Sequence, residues 1–209
     1  MKGVVNKGLQ ELVEHTHGEE AWETIRQVAN CDVNSFWPAQ DYPDELTIAL
    51  FMATSRHLRV SPDEIMVEFG KFWINNTGKN VYPKMFALVG NNARDFLRRL
   101  DFLHQQATIS LPGTRGFQLR SEELSDGGLR MFYTSDLPLC RVLHGLILGA
   151  GIHFNQTLQI QQVQCTRLGD PECAFDVHFD VHVDDACPAG GALAKTDCGV
   201  EIQYQRVLQ

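Results

Sequence analysis

The stretch from Thr157 to Val183, TLQIQQVQCTRLGDPECAFDVHFDVHV, decides the fold class of this chain. Its second half alternates between apolar and polar residues, with the apolar positions at Cys173, Phe175, Val177, Phe179, Val181 and Val183. Such alternation is typical of a strand with one buried face. Residues 157–165 form a second strand candidate, and the segment 168–171 between them, Leu-Gly-Asp-Pro, has turn chemistry. The stretch therefore predicts an antiparallel hairpin.

The segments before this hairpin extend the same pattern. Leu129, Met131 and Tyr133 alternate and predict a further strand. The apolar segment from Pro138 to Phe154 predicts a buried helix, and its glycines allow another backbone to approach closely. After the hairpin, residues 184–196 predict a loop and residues 200–204 a last strand.

The first half of the chain is predicted to be helical. Apolar residues recur at helical spacing from Val5 onward, and Ser61-Pro62-Asp63-Glu64 is a strong helix start. That helix is predicted to end at residues 76–78, and another is predicted over residues 92–107. Helices followed by an antiparallel sheet with one inserted helix predict the α+β class.

Composition narrows the functional classes. The chain has 209 residues, 44% of them hydrophobic, and a net charge of −8. The acidic balance disfavours nucleic-acid binding, and no apolar run is long enough to predict a membrane span. The N-terminus does not resemble a secretory signal, so we expect a soluble cytoplasmic protein. We find no nucleophile–base motif or phosphate loop, so no catalysis is expected, and a cyclase domain would not fit.

His104 is the first candidate site residue. In RDFLRRLDFLHQQA (residues 94–107) it follows the apolar positions Leu97, Leu100 and Leu103 and is predicted to share their buried face. A buried imidazole either satisfies both nitrogens with protein hydrogen bonds or binds a metal through one of them. Taken alone, the residue favours the hydrogen-bonded interpretation.

The cysteines are the second candidate site. Cys165 and Cys173 flank the predicted turn and should lie side by side, and Cys140 begins the neighbouring helix. Three interpretations stay open: ordinary packing, a thiol–disulfide switch and a metal site. The spacing favours a specific role over packing.

Three stretches, in consistent order over residues 1–180, resemble the H-NOX (haem nitric oxide/oxygen binding) family. They are MKGVV at the N-terminus, Asp101-Phe102-Leu103-His104 with Pro112 behind it, and Tyr133-Thr134-Ser135 with the glycine-rich helix that follows. The resemblance implies an H-NOX domain over residues 1–183, with a distal helical lobe at 1–60 and a proximal lobe at 61–183. Residues 184–209 would be a C-terminal extension.

The resemblance also implies haem b as cofactor, with His104 as the axial ligand of the iron. Tyr133 and Ser135 would donate to the propionates, and Pro112, Val5 and Leu9 would contact the haem. The family's arginine position holds Leu137, so either haem is bound more weakly or another cation substitutes, with Arg141, Arg115 and Arg130 as candidates. The position of the distal tyrosine found in O2-binding relatives holds Val142. This apolar residue favours NO or CO over O2.

The implied function is a gas sensor. NO binding would weaken the bond between iron and His104, and the released helix would relay the state to a partner. The family suggests a sensor histidine kinase or a cyclic-di-GMP enzyme as that partner. Some relatives also hold zinc with three cysteines at these positions and a histidine where this chain has Gln162. Here a tail cysteine, Cys187 or Cys198, or a nearby histidine would complete the site. The alternative function is therefore a haem-independent zinc or thiol redox sensor using Cys140, Cys165 and Cys173.

Overall fold

The computed structural model describes residues 1–86, 89–110 and 118–179. Several predicted features lie outside these residues: Pro112, Arg115, the end of the predicted strand at 180–183, and the tail with its cysteines and last strand. The helices are α1 (Gly3–His17), α2 (Glu19–Val28), α3 (Asp44–Leu58), α4 (Pro62–Phe72), α5 (Lys79–Val81), α6 (Pro83–Phe86), α7 (Ala93–Arg98), α8 (Leu100–Ser110) and α9 (Cys140–Phe154). The strands are β1 (Gln118–Glu123), β2 (Leu129–Thr134), β3 (Leu158–Gln164) and β4 (Cys173–Phe179). None of the described helices is long and apolar enough to cross a membrane.

The four strands form one antiparallel sheet in the order β1-β2-β4-β3. The predicted hairpin is confirmed as β3–β4, and the predicted α+β class is confirmed. The sequence does not predict β1, because its residues, QLRSEE, show little alternation of apolar and polar side chains. It is held by six register pairs with β2, from Gln118↔Thr134 to Glu123↔Leu129.

Two predicted helix boundaries are wrong. The helix starting at Pro62 does not end at residues 76–78, because the chain continues through a π-helical turn, Trp73–Gly78, into α5. The helix predicted over residues 92–107 is broken at Arg99, whose φ of −103° and ψ of 6° leave the helical region. Both α7 and α8 contact β1. The start at Ser61 is confirmed as a capping box, with Ser61 and Glu64 bonded reciprocally.

The core has two clusters of buried side chains. The first comes from α1 to α4 and extends along the chain from Leu9 to Phe69. The second runs from Ile74 to Val177 and joins α7, α8 and α9 to the sheet. Helix α4, which the sequence analysis assigns to the second lobe, contributes Ile65 and Phe69 to the first cluster.

Helices α4 and α9 join the two clusters through a close backbone contact. Gly70 and Gly145 face each other, and a methyl group on Gly145 would lie 2.2 Å from the carbonyl oxygen of Val67. This contact explains the glycines of the predicted buried helix. It fixes α9 between the helical lobe and the sheet.

Candidate functional site

His104 lies on α8 at the wall of a cleft of about 430 Å³. This volume is within the usual range of small-molecule sites. The side chain is partly rather than fully buried, whereas Leu103 beside it is 8% exposed. The other residues of the lining come from α8, β1, β2 and the start of β4: Asp101, Gln105, Gln118, Leu119, Arg120, Phe132, Thr134 and Glu172.

Burial lowers the pKa of His104 below its usual value, because desolvation disfavours the imidazolium form. The ring is therefore neutral at physiological pH. A neutral imidazole has one nitrogen lone pair that can bind a metal. The cleft thus holds a histidine in the protonation state that iron ligation requires.

Arg120, which the sequence analysis did not single out, lies in the same cleft. Its guanidinium carbon is 3.4 Å from the centre of the Phe132 ring, and it donates to Glu172 at 2.6 Å and to Glu122. The predicted cations lie elsewhere: Arg141 pairs with Asp63 and Arg130 with Asp176, and Arg115 lies outside the described residues. Only the β1–β2 register brings Arg120 beside Phe132, so no local sequence signal identifies it.

The pleat of β2 places Tyr133 on the opposite side of the sheet from the cleft. Phe132 and Thr134 line the cleft, whereas Tyr133 is buried in the cluster packed against α9. Burial raises the pKa of Tyr133 to about 12, although a hydrogen bond with Ser135 opposes this shift. The Ser135 hydroxyl also accepts from the amide of Leu137 at 3.2 Å.

Three further predicted haem contacts lie in the helical lobe or at its margin. Leu9 is fully buried in the first cluster, and Val5 packs against that cluster on the same face of α1. Val142 contacts both clusters from α9. None of these three residues is among the described lining of the His104 cleft.

The structure brings the three predicted cysteines together. The sulfur atoms of Cys140, Cys165 and Cys173 all lie within 4.8 Å of one another, and all three side chains are buried. The Sγ atom of Cys173 is 3.3 Å from the amide of Thr166 and 3.4 Å from its hydroxyl.

The cysteines differ in acidity. The pKa of Cys140 is raised to about 12. Burial is the largest cause, and the neighbouring thiols of Cys173 and Cys165 add to it. Burial also opposes ionisation of Cys165, but hydrogen bonds from the backbone and side chain of Arg167 and from Cys140 outweigh it, so the pKa of Cys165 is lowered. Cys165 is therefore more acidic than an ordinary thiol.

Arg167 links the cysteines to α4. Its two terminal nitrogens each donate to a different oxygen of Asp63, both at 2.8 Å, and Arg141 donates to Asp63 at 3.1 Å. These contacts hold the pKa of Asp63 below its usual value, with the Arg167 hydrogen bond as the largest cause. The network connects residues 78 and 104 positions apart in sequence.

A fourth buried group, His144, lies on α9 one turn after Cys140. Its side chain is 3% exposed, and its ring centre is 5.8 Å from that of Phe175. Arg141 approaches Nδ1 at 3.5 Å, whereas Nε2 has no hydrogen-bond partner among the described residues. Burial, with Arg141 and Lys71 nearby, lowers the pKa of His144 to about 4, so this ring is also neutral.

Comparison with known proteins places the fold in context. Soluble guanylate cyclase 89Db of Drosophila melanogaster is 27% identical over 135 residues, which cover 65% of this chain and 20% of the fly protein. The chain therefore spans about a fifth of the length of this relative. An H-NOX protein from S. oneidensis in the Fe(II)NO ligation state superposes with a TM-score of 0.79 at 18% identity, covering 86% of this chain and 99% of that one. An H-NOX domain from Shewanella oneidensis in the Fe(II)CO ligation state gives a TM-score of 0.77 at 18% identity, with coverage of 86% and 98%.

The structural likeness at these identities shows that the chain has the H-NOX fold, with a helical N-terminal part and a four-stranded antiparallel sheet. The sequence also matches the haem-NO-binding family over residues 2–162, which is most of its length. This chain belongs to the haem-NO-binding (HNOB) family.

Proposed function

We propose that this chain is a gas-binding module in which His104 ligates the iron of a haem b and NO, or secondarily CO, binds to that iron. The observation that carries this proposal is a neutral imidazole at the wall of a cleft of about 430 Å³. Family membership supports it, as do the Fe(II)NO and Fe(II)CO states of the structural relatives. When bound, ferrous haem supplies the site at which the diatomic gas coordinates.

The residues present fit the group at two points. His104 offers the axial nitrogen, and Arg120, which pairs with Glu122 and Glu172, is a guanidinium in the same cleft that would have to exchange one of these partners for a propionate. Phe132 adds an apolar face. Tyr133, Ser135 and Pro112 are proposed to hold the haem edge, and Val5, Leu9 and Val142 to form the apolar side where gas binds. Of these residues, Tyr133, Val5, Leu9 and Val142 are not among the described lining of the His104 cleft.

The output of this module is proposed to lie on another polypeptide. A sensor histidine kinase or a cyclic-di-GMP enzyme in the cytoplasm is the partner class we propose. Release of the helix carrying His104 would bias a two-state packing, which is a physically sound form of switch.

The test is the absorption spectrum of the ferrous protein purified from haem-replete cells. We expect a Soret band that shifts on addition of NO, because NO changes the ligation of the iron. His104→Gly should lose the haem, or retain it only when imidazole is added to replace the missing ring. His57→Gly, at an exposed position on α3, is the control and should leave the haem in place. A wild-type protein that binds no haem even on reconstitution would contradict the proposal.

A second function is supported by the cysteine cluster. We propose that Cys140, Cys165 and Cys173 hold a zinc ion or act as a thiol redox switch, independently of haem. The observation is the mutual approach of the three buried sulfur atoms within 4.8 Å, which is the spacing that ligands of one ion require.

Metal analysis of the purified chain tests this second function. We expect about one zinc per chain, as a single cluster of this kind would bind, and its release by peroxide as the thiolates are oxidised. Cys165→Ser should abolish binding, whereas Cys31→Ser should not, because Cys31 lies in the helical lobe and its thiol faces the carbonyl of Val33. Absence of both zinc and any thiol-dependent change would rule this function out.

A further inference from the structure

The cysteine cluster offers three ligands, whereas zinc in proteins is almost always four-coordinate. The position of Gln162 supplies no fourth ligand, because its amide nitrogen donates to the carbonyl of Gln164 at 3.1 Å. A complete site therefore needs a nitrogen or sulfur from another residue. The groups packed around the cluster are the first place to search for it.

His144 is the described residue that meets this need. It lies four positions after Cys140, and side chains at this spacing on a helix have Cβ atoms about 5–6 Å apart. Two ligands separated by four positions can bind one ion, as the paired histidines of helical zinc sites do. Its ring also packs on Phe175, two residues after Cys173 on β4. The ring and the cluster therefore occupy neighbouring places along the same α9–β4 contact.

The hydrogen bonding of His144 is incomplete, which is a second and independent indication. The Arg141 guanidinium can only donate, so Nδ1 is the acceptor and the proton lies on Nε2. That Nε2–H group is buried and lacks an acceptor among the described residues. An unpaired buried donor is unfavourable, so this ring is poorly satisfied where it stands.

We propose that His144 is the fourth ligand of a metal site completed by Cys140, Cys165 and Cys173. This inference rests on the second proposed function. The ring nitrogens of His144 lie outside the 4.8 Å group of sulfur atoms, so ligation requires the side chain to turn toward Cys140. Three thiol protons pass to solvent as the ion binds, and the imidazole stays neutral with its other nitrogen protonated. Arg167 lies beside the cluster and offsets part of the negative charge of three thiolates.

X-ray absorption at the zinc edge of the full chain tests this proposal, because it counts sulfur and nitrogen ligands separately. We expect three sulfurs at about 2.3 Å and one nitrogen at about 2.0 Å in the wild type. His144→Gln should replace the nitrogen by oxygen and weaken zinc binding about tenfold or more, measured by competition with a chromophoric chelator. His153→Gln is the matched control on the same helix, because His153 packs on Phe86 and Phe154 instead.

The double variant His144→Gln/Gln162→His separates ligand loss from misfolding. Position 162 lies opposite Phe175 in the β3–β4 register, so a histidine there would approach the cluster from strand β3 rather than from helix α9. Recovery of a nitrogen ligand and of affinity would support the proposal. A wild-type site with four sulfurs, or a spectrum unchanged by His144→Gln, would overturn it while leaving zinc binding intact. A wild type that binds no zinc would overturn both this proposal and the second function.

Discussion

Arg167 shows how one side chain can set the chemistry of a neighbouring thiol. Its guanidinium forms two hydrogen bonds to Asp63 and also contributes to the lowered pKa of Cys165. Cys140 is more deeply buried and lacks a comparable donor, so burial raises its pKa to about 12. Of these two thiols, Cys165 is therefore the one expected to react first with an oxidant or an alkylating reagent.

Replacing Arg167 should remove that difference. In Arg167→Gln we expect the pKa of Cys165 to rise, so that its alkylation by iodoacetamide begins at higher pH than in the wild type. The rate is measured by mass spectrometry of the peptide containing Cys165 across a pH series. Arg56→Gln, at an exposed position on α3, is the control. An unchanged pH profile in Arg167→Gln would show that another group sets the acidity of Cys165.

At the scale of elements, the contact between α4 and α9 is one of the closest backbone approaches that the described glycines reveal. An added methyl group at Gly145 would lie 2.2 Å from the Val67 carbonyl oxygen and 2.9 Å from the Cα atom of Gly70. Both neighbours are backbone atoms of a helix, so neither can move aside without displacing α4. The two helices therefore behave as one unit that joins the helical lobe to the sheet.

Gly145→Ala should consequently destabilise the protein, even though alanine is the better helix former. We expect a loss of about 1–3 kcal/mol in the free energy of unfolding, the usual cost of overpacking. Urea unfolding followed by circular dichroism measures it. Ile152→Ala on the same helix is the control, because Ile152 is 61% exposed, and its effect should stay within about 0.5 kcal/mol. Equal stability of both variants would contradict the close contact.

At the scale of the whole molecule, Asp63 connects parts of the chain that are far apart in sequence. It lies in the first turn of α4, where a carboxylate is favoured, and binds Arg141 of α9 and Arg167 of the β3–β4 turn. The second proposed function places its metal or thiol chemistry beside this network. Arg167 therefore contacts both the cysteine cluster and the carboxylate at the start of α4.

This network predicts a pH dependence of stability. The pKa of Asp63 is lower in the folded state than in the unfolded state. Its ion pairs therefore contribute fully to the free energy of unfolding above the unfolded-state pKa, which is about 4, and this contribution is lost as the pH falls through the folded-state pKa. Asp63→Asn should lower the melting temperature at pH 7 and reduce the difference between pH 7 and pH 3. Because the Asp63 side chain is 37% exposed, we expect the substitution to lower the free energy of unfolding at pH 7 by only about 1 kcal/mol. Glu68→Gln, whose partner Lys71 lies on the same helix, is the control.

Local sequence patterns determined the α+β class, the β3–β4 hairpin, helix α9 and the helix start at Ser61. Each of these depends on residues within about one element of one another, such as the alternation from Cys173 to Phe179 or the bonds between Ser61 and Glu64. The approach of Cys165 and Cys173 follows from the same hairpin. The sequence singles out His104 as a candidate site residue, but it does not predict the residues that surround it.

Only the tertiary structure placed Arg120 in the cleft of His104, brought Asp63 between two arginines and left the buried Nε2 atom of His144 without a partner among the described residues. The groups that come together belong to different strands and helices, and they are up to 104 residues apart in sequence. β1 itself depends on pairing with β2 rather than on its own weak alternation. The periodicity of apolar residues specifies which face of a helix or strand is buried. The packing of the elements decides which charged or polar group of another element lies against a given side chain.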